Sequence, residues 1–330
     1  MPEGLRPLSA VLDEALYATG RGFYETGGRA GRRGDFLTSP EVGPLFGAVI
    51  ARALDRWWDA LGRPDPFVVV DAGAGPGTLA RTVAQATPDC WSSTRYVLVE
   101  RSAAQRAGHP IGVPFQSMET LPPAPFDGVI LANELLDNLP FDLAVWDGGW
   151  REAWIDAGGR EVLVPFVDGV PPCLPLEAPH GARAPLQRAA GLWLADALGR
   201  IRRGRVVVFD YASTTAALVH RPWRDWLRTY RGHERGVHYL RELGSQDITC
   251  EVALDQLAAV AEPDAVRTQA QWLRFHGIDG LVEAGRQAWE AGAARGDLAA
   301  LRGRSAVREA EALLDPTGLG AFSAVEWIVG

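Results

Sequence analysis

Three glycines, Gly73, Gly75 and Gly77, are the residues of this chain whose spacing points most directly to ligand binding. They follow Asp71 at the end of an apolar run. Glycine has no Cβ, so its backbone N–H group can approach a ligand closely. A helix that starts there adds unsatisfied donors and a partial positive charge, and Pro76 suits its first turn. The segment therefore predicts a strand, a tight turn and a helix start around a ligand.

Two classes of nucleoside-containing cofactor use such a turn. A dinucleotide fold favours the spacing Gly-x-Gly-x-x-Gly, but Thr78 stands in the place of its third glycine. An acidic residue followed by Gly-x-Gly-x-Gly is typical of methyltransferases that use S-adenosylmethionine (SAM). An ordinary strand–helix turn would contain similar glycines, so the motif alone does not decide. The candidate cofactor-binding residues of this segment are Asp71, Gly73, Ala74, Gly75 and Gly77.

The next predicted strand, residues 95–100, ends in the carboxylate of Glu100. A carboxylate there can accept hydrogen bonds from both ribose hydroxyls of a nucleoside, and NAD enzymes place an acid similarly. The alternative interpretation is a solvated charge at a strand end. After the third predicted strand, Ser117 and Met118 lie where this kind of fold usually contacts an adenine ring. Met118 fits equally well as a residue that fills a gap in the core.

Apolar runs that alternate with helical patterns predict an α/β fold with a mainly parallel sheet. The predicted strands of this sheet are residues 67–70, 95–100, 111–115, 126–132, 206–210 and, antiparallel, 322–329. Ser39 as N-cap and Pro40 after it predict a helix that continues to residue 61. Further helices are predicted at residues 76–86, 102–107, 186–202 and 279–314, and short antiparallel strands at 143–146, 150–155 and 162–167.

Composition limits the possible partners. The net charge of −8 argues against a nucleic-acid partner that is held by phosphate neutralisation. The arginine-rich segment 221–235 fits that view, because Trp223, Trp226 and Tyr230 fall at helical spacing and predict one buried helix face. With 47% hydrophobic residues the chain can form a sizeable core, yet no apolar run approaches the ~20 residues of a membrane span.

Cysteine and histidine usage predicts the compartment and the absence of a metal. Cys90, Cys173 and Cys250 form neither a disulfide framework nor a zinc spacing, and no histidine pair has metal-ligand spacing. Unpaired cysteines indicate a reducing compartment. Because the N-terminus shows no secretory signal, we expect a cytoplasmic location.

Two segments are distinctive, GDFLTSPEV at residues 34–42 and NELLDNLP at residues 133–140. With several other segments they resemble the MidA family of class I SAM-dependent methyltransferases, which includes a mitochondrial assembly factor for respiratory complex I. The other segments, in the family's order, are residues 15–17, 22–24, 45–47, 71–78, 99–102, 230–233 and 247–249. The resemblance spans nearly the whole chain. It implies a Rossmann-like SAM-binding core and methyl transfer to an arginine of a protein partner.

The resemblance implies that Glu134 and Asp137 are the catalytic pair. A guanidinium is a poor nucleophile while its lone pair is delocalised, and carboxylates bound to its other N–H groups localise charge away from the attacking nitrogen. On a helix the two acids would share one face, although simple acidity at a helix start also explains them. Asn133 at the strand end is a cofactor contact or an N-cap. The residues expected to close the site are Thr38, Ser39 and Glu41.

The predicted organisation has four parts. An N-terminal cap of residues 1–62 precedes a SAM-binding core of residues 63–211, which carries an insertion at 142–185. A mainly helical substrate or lid region, residues 212–314, is followed by the last strand of the core sheet within residues 315–330. Two alternatives to protein arginine methylation stay open: methylation of a small molecule, and an assembly role with SAM binding but little turnover.

Overall fold

The computed structural model describes residues 4–26, 38–123, 125–232, 234–294 and 297–330. The largest sheet of these residues has seven strands, numbered here β1 to β7 in chain order. The strands are β1 Phe67–Ala72, β2 Thr94–Val99, β3 Phe115–Met118, β4 Phe126–Asn133, β5 Ile201–Asp210, β6 Ala265–Thr268 and β7 Ser323–Val329.

The strands of this central sheet lie in the order β3-β2-β1-β4-β5-β7-β6. The first five are parallel, whereas β7 is antiparallel to β5, and β6 is antiparallel to β7. The strand order reverses between β1 and β4, and open α/β sheets bind ligands at the carboxyl ends of the strands at such a point. Because Ala72 pairs with Ala132, the segments that leave β1 and β4 start side by side.

Helices cover both faces of the central sheet. One face packs against the helices Pro44–Ala60, Thr78–Ala86, Gln269–Phe275, Ile278–Gly292 and Leu298–Leu313. The other face packs against Arg188–Arg200 and Leu254–Ala258. All six residues of β1 are buried, which explains why this strand is a continuous apolar run with one acid instead of an alternating pattern.

Three smaller sheets flank the core. A five-stranded antiparallel sheet consists of Arg6–Pro7, Asp142–Trp146, Trp150–Ile155, Glu161–Val164 and Arg183–Leu186. The helix Leu8–Tyr17 packs on this sheet through buried leucines. The other two sheets pair Leu227–Arg231 with Glu234–Arg235 and Asp247–Cys250, and Ala212–Ser213 with Val252–Ala253.

The remaining elements are short helices of one or two turns. Short α-helices span Ser39–Val42, Ala103–Arg106, Thr215–Val219 and Trp223–Trp226. Turns of 3-10 helix span Asp89–Ser93, Leu136–Asn138 and Leu319–Ala321. The predicted mainly parallel sheet and its antiparallel last strand are confirmed by this architecture.

The prediction for the third strand is wrong by several residues. The strand starts at Phe115, whereas Ile111 and Val113 are almost fully exposed. Gly112 has φ +91°, and Pro114 has no N–H to donate to a neighbouring strand. The apolar residues there therefore do not mark a strand.

Two helix predictions also differ from the structure. Gly43 interrupts the helix expected from Ser39 to residue 61, because it precedes Pro44 and a residue before proline disfavours the α-helical conformation. The segment that begins at Trp223, which the sequence predicts to be one helix with a buried face, is helical only to Trp226. It continues as the strand Leu227–Arg231. That strand pairs with a segment about twenty residues away, which local spacing cannot detect.

Candidate functional site

The glycine turn joins β1 to the helix Thr78–Ala86. Gly73, Gly75 and Gly77 have φ values of +71°, +53° and +83°, in the left-handed region that favours glycine. The N–H groups of Gly73 and Ala74 donate to the carbonyl of Val99 at 2.9 and 3.0 Å. These bonds hold the turn against the end of β2. A backbone conformation that other residues adopt only with strain is therefore built into this segment.

A cavity of about 360 Å³ opens beside this turn, at the carboxyl ends of β1, β2 and β4. That volume is in the range of small-molecule sites. Among the predicted site residues, those that line it are Asp71, Gly73, Ala74, Gly75, Glu100, Asn133, Glu134, Thr38 and Glu41. The predicted residues outside its lining are Gly77, Ser117, Met118, Ser39 and Asp137.

The carboxylate of Glu100 lies at the centre of this end of the sheet. Its oxygens accept hydrogen bonds from the N–H of Gly75 at 3.1 Å and of Ser102 at 2.8 Å. Burial raises its pKa above the usual value. The alternative of a solvated surface charge is therefore wrong, and the position fits a carboxylate that binds the hydroxyls of a ribose.

Asp71 is the residue before the last in β1 and lines the same cavity. The residue is buried, and burial raises its pKa to about 7. Tyr96 is its hydrogen-bonding neighbour at 3.5 Å. The acid that sequence reasoning placed at the end of the first strand is thus a desolvated group beside the glycine turn.

The predicted adenine contacts Ser117 and Met118 do not reach the cavity. The hydroxyl of Ser117 lies 2.8 Å from Nδ1 of His109, and the side chain of Met118 packs against the apolar core. The wall is formed instead by the next three residues, Glu119, Thr120 and Leu121. The third strand ends later than the sequence predicted, and the residues that line the cavity lie correspondingly later in the chain.

Glu134 has a backbone conformation that is rare for a residue with a side chain. Its φ is +51°, and its N–H donates to the carbonyl of Phe209 on β5 at 2.8 Å. One carboxylate oxygen accepts from Asn133 Nδ2 at 3.1 Å and from the N–H of Ser39 at 3.4 Å. Burial, followed by the nearby charge of Asp137, raises its pKa to about 8. Such strain at a cavity wall is characteristic of functional positions.

Asp137 lies behind Glu134 in the 3-10 turn Leu136–Asn138, so the prediction that both acids share one α-helical face is wrong. The N–H groups of Leu136 and Asp137 donate to Asp210 Oδ2 at 3.0 and 3.2 Å. Asp210 ends β5 and fixes this turn. Burial, together with the charge of a neighbouring acid, raises the pKa of both aspartates well above the usual value.

Asp247 adds a fourth buried acid to this group. It accepts a hydrogen bond from the hydroxyl of Tyr24 at 2.9 Å, and its charge contributes to the raised pKa of Asp137. Arg228 is the cation whose charge lowers that pKa. Sequence reasoning missed Asp210 and Asp247 as site residues, although Asp210 ends an apolar strand just as Asp71 does.

Three acceptor oxygens in this region have no hydrogen-bond donor among the described residues. They are buried and belong to Asn133 Oδ1, Asp137 Oδ1 and Asn138 Oδ1. Asn133 and Asn138 also line the cavity. Buried acceptors without donors are uncommon and cost about 1–3 kcal/mol each. The arrangement therefore suits a ligand that brings several N–H donors.

The segment Thr38–Glu41 forms the opposite wall. Thr38, Pro40 and Glu41 line the cavity, whereas the Ser39 hydroxyl donates to Gln269 Oε1 at 2.9 Å. Ser39 is the first residue of the helix Ser39–Val42 and does not cap it through its side chain, so the N-cap prediction is wrong. Residues 34–37 and His233, which belong to the resembling segments, lie outside the described residues.

The sequence matches the family of S-adenosyl-L-methionine-dependent methyltransferases over residues 49–271. The chain belongs to this family. The match covers more than half of the 330 residues and includes the glycine turn, Glu100 and the segment 133–138. The resemblance to the MidA family and the expected cofactor are thereby confirmed.

Solved structures support the same fold over nearly the whole chain. A likely methyl transferase of the COG1565 superfamily from Burkholderia thailandensis, bound to S-adenosylhomocysteine, is 26% identical with a TM-score of 0.77. The alignment covers 98% of this chain and 87% of that one. An uncharacterised protein of the same superfamily and organism is 25% identical with a TM-score of 0.80, covering 99% and 88% of the two chains. The class I SAM-methyltransferase fold is confirmed.

The matches with two curated relatives cover less of the chain. The mitochondrial protein arginine methyltransferase NDUFAF7 homolog of Drosophila melanogaster is 28% identical over 192 residues, which are 47% of this chain and 42% of the relative. The protein arginine methyltransferase NDUFAF7 of Danio rerio is 23% identical, with 84% of this chain and 75% of the relative covered. The match with the first of these relatives thus spans less than half of its length.

The predicted cytoplasmic location is contradicted by these relatives, because the names of those from fly, human, zebrafish and mouse place them in mitochondria. Unpaired cysteines indicate a reducing environment and do not distinguish one such compartment from another. Within the described ranges, no helix has the length and apolar character needed to cross a membrane. Among the same residues, no group of three or more His, Cys, Asp or Glu side chains is arranged so that it could hold a metal ion.

Proposed function

We propose that this protein transfers a methyl group from SAM to an arginine side chain of a protein partner. The observation that carries the proposal is the set of buried acceptor oxygens on Asn133, Asp137 and Asn138, next to the buried carboxylate of Glu134. A guanidinium has five N–H donors, no acceptor and a permanent positive charge. Its N–H groups could donate to the buried acceptors that have no donor among the described residues, and its positive charge could balance the neighbouring acids.

The cofactor half of the cavity fits SAM. The Gly73–Gly77 turn provides an open backbone surface, since a Cβ on Gly75 would meet no atom within 4 Å. Glu100 lies next to Gly75 and would hold the ribose, with Asp71 and Ala74 completing the wall. When bound, SAM supplies the electrophilic methyl group on its sulfonium.

The acceptor half positions and polarises the nucleophile. A guanidinium next to Glu134 and Asp137 would restore the ionised form of both carboxylates, because an opposite charge lowers the pKa of an acid. Hydrogen bonds from two guanidinium nitrogens to the Glu134 carboxylate, which lines the cavity, would fix its plane and leave the third nitrogen for attack. Asp137 behind Glu134 would add negative charge. The wall Thr38–Glu41 would exclude water above it.

The segment 212–314 would supply the substrate side of the site. Arg228 and Asp247, which act on the charge of Asp137, come from this segment, and so does Gln269, which holds Ser39. The division of the chain into a cap, a core with its insertion, this substrate region and a last strand is thus part of the proposal. The protein arginine methyltransferase names of the relatives support the choice of acceptor.

The proposal is tested by incubating the protein with SAM labelled on its methyl group and with lysate of the source cells. We expect label in protein that is released as methylarginine on acid hydrolysis. Label in small molecules alone would favour a small-molecule methyltransferase. S-adenosylhomocysteine binding with no labelled product would favour an assembly role. The Glu134→Gln variant, tested in parallel, shows whether the label depends on this site.

A further inference from the structure

His109 connects two parts of the cofactor site that the sequence pattern treats separately. Its Nε2 lies 2.8 Å from the carbonyl oxygen of Gly75, and its Nδ1 lies 2.8 Å from the Ser117 hydroxyl. The ring is 7% exposed. One imidazole therefore bridges the glycine turn and the end of β3.

The chemistry of the two partners fixes the state of this ring. A carbonyl can only accept, so Nε2 carries the hydrogen, and in the neutral ring Nδ1 accepts from the hydroxyl of Ser117. Burial and the positive charges of Arg106 and Arg81 lower the pKa of His109 below its usual value. The ring is therefore neutral at pH 7.5, and both of its hydrogen bonds have one defined direction.

The carbonyl that His109 binds belongs to the residue that faces Glu100. Gly75 donates its N–H to the Glu100 carboxylate at 3.1 Å, while its own carbonyl is turned away toward His109. The N–H and the carbonyl of Gly75 belong to the two peptide planes on either side of its Cα. His109 holds the plane after Gly75, and the bond from the Gly77 N–H to the Ala74 carbonyl at 2.8 Å holds the plane before it. Because Gly75 has φ +53° and no Cβ, its own torsions are soft, and the two planes together set the direction of the N–H that meets the Glu100 carboxylate.

Other contacts also join the glycine turn, residues 75–77, to the segment 108–110 that contains His109. Arg81 donates to the carbonyl of Pro76 at 2.8 Å and to that of Gly108 at 2.9 Å. A Cβ on Gly77 would lie 2.9 Å from Cδ of Pro110. The segment 108–110 thus packs directly under the turn, and His109 is its hydrogen-bonding side chain.

We propose that His109 is a positioning residue for the cofactor. It does not touch the cavity, but it orients Gly75 and, through Gly75, the carboxylate that would bind the ribose. Ser117, which the sequence suggested as an adenine contact, acts in this view by anchoring the imidazole. The inference rests on the proposed SAM site and does not depend on the identity of the methyl acceptor.

The test measures S-adenosylhomocysteine affinity by calorimetry at pH 7.5, together with the melting temperature of each ligand-free variant. His109→Phe keeps the ring volume and removes both hydrogen bonds, so we expect affinity to fall about 10-fold. His109→Gln places an amide N–H at the same number of bonds from Cα as Nε2. It should restore affinity to within about 3-fold of the original protein. The matched control is His180→Phe, because the side chain of His180 is 83% exposed.

A structural role alone would lower the melting temperature and the affinity of both His109 variants together, without rescue by glutamine, and that result would overturn the proposal. Equal affinity of His109→Phe and the original protein would also overturn it. If His109→Phe does not fold, Ser117→Ala removes the anchor at an exposed position, with about 3-fold weaker binding expected and unchanged binding contradicting the proposal. If the original protein itself binds no S-adenosylhomocysteine, the proposed function fails first.

Discussion

The two halves of the cavity differ in how completely their polar groups are paired. In the cofactor half, the N–H of Gly75 binds Glu100, its carbonyl binds His109, and the N–H groups of Gly73 and Ala74 bind Val99. In the acceptor half, three buried oxygens of residues 133–138 have no donor among the described residues. One half is thus internally satisfied, while the other is short of donors.

This difference indicates that the cofactor half is formed before its ligand arrives and that the acceptor half is completed by its ligand. A buried acceptor without a donor costs free energy, which an incoming donor recovers on binding. The pKa of Glu134 is raised for a related reason, because burial and the charge of Asp137 disfavour its ionised form. The acceptor half should therefore stabilise a bound cation more than the cofactor half does.

The largest expected effect tests whether the two halves are functionally separate. Glu134→Gln and Asp137→Asn keep the size of each side chain and remove its charge. Removing one partner of a buried charge pair costs about 2–5 kcal/mol, so methyl transfer should fall by about 30-fold or more. S-adenosylhomocysteine affinity should stay within about 3-fold, because neither residue would bind the nucleoside. Initial rates of label transfer and calorimetry measure the two quantities.

Asp196→Asn is the matched control for this comparison, since Asp196 also lines the cavity but pairs with Arg200 on its own helix. It should leave methyl transfer unchanged. If Glu134→Gln and Asp137→Asn both retain full transfer to an identified substrate, these residues are not the catalytic pair. If both instead lose cofactor binding, the division into two halves is wrong.

The two halves also differ in how much of them the sequence could reveal. The cofactor half is formed by contiguous motifs, so the spacing of Gly73, Gly75 and Gly77 and the strand-end acid Glu100 could point to the cavity that these residues line. The mainly parallel sheet was predictable for a similar reason, because its buried strands are short uninterrupted apolar runs. The turn and the strands are determined by residues that are close in the sequence, and tertiary packing only brings these elements together.

The acceptor half comes from distant segments. Asp210 and Asp247 reach Asp137 through strand pairing and loop packing, and no local spacing records that approach. Sequence reasoning found Glu134 and Asp137 through family resemblance, but it predicted a helix where Glu134 takes φ +51°. A strained backbone at a functional position contradicts local propensity, and this is where prediction from propensity fails.

The next prediction concerns the pH dependence of stability in each half. The pKa of Glu134 is raised to about 8 and that of Asp71 to about 7, so both hold a proton in the folded state at pH values where the unfolded chain has lost it. The free energy of unfolding should therefore fall as pH rises from 5 to 8, by about 1.4 kcal/mol per pH unit for each acid until its folded pKa is passed. Denaturant titrations at several pH values measure this fall.

Neutral variants assign that fall to one half or the other. Glu134→Gln should remove the part of the pH dependence that comes from the acceptor half, and Asp71→Asn the part that comes from the cofactor half. In each variant the free energy of unfolding of the ligand-free protein should vary less with pH. The profile of Glu134→Gln should flatten over the higher pH range, because its pKa is the higher of the two. A stability that rises between pH 5 and 8 would show that these acids are ionised in the folded protein.

A smaller effect is expected from the central residue of the cofactor half. Glu100→Gln replaces charge-assisted hydrogen bonds to a ribose by neutral ones and should weaken S-adenosylhomocysteine binding about 10-fold. The Gly75 N–H can still bind the amide oxygen, so the turn should keep its shape. Asp196→Asn is again the control and should bind normally, because Asp196 lines the cavity but pairs with Arg200 on its own helix. Unchanged affinity of Glu100→Gln would remove this residue from the cofactor site.

The smallest effect tests how the acceptor half is held in place. Gln269 is fully buried and accepts from the Ser39 hydroxyl at 2.9 Å, while the N–H of Ser39 faces the Glu134 carboxylate at 3.4 Å. Gln269→Leu would release the wall segment Thr38–Glu41 without touching either half directly. Loss of one neutral hydrogen bond corresponds to about 3- to 10-fold slower methyl transfer, with S-adenosylhomocysteine affinity unchanged.

Ser39→Ala is the matched variant, because it breaks the same hydrogen bond from the other side and keeps the N–H that faces Glu134. The two single variants and the double variant form a cycle, and a shared bond predicts that the double variant is no slower than the slower single one. Additive losses would mean that Ser39 and Gln269 act independently. Weaker cofactor binding in either variant would show that this wall serves both halves, and the comparison between them would then have to be redrawn around it.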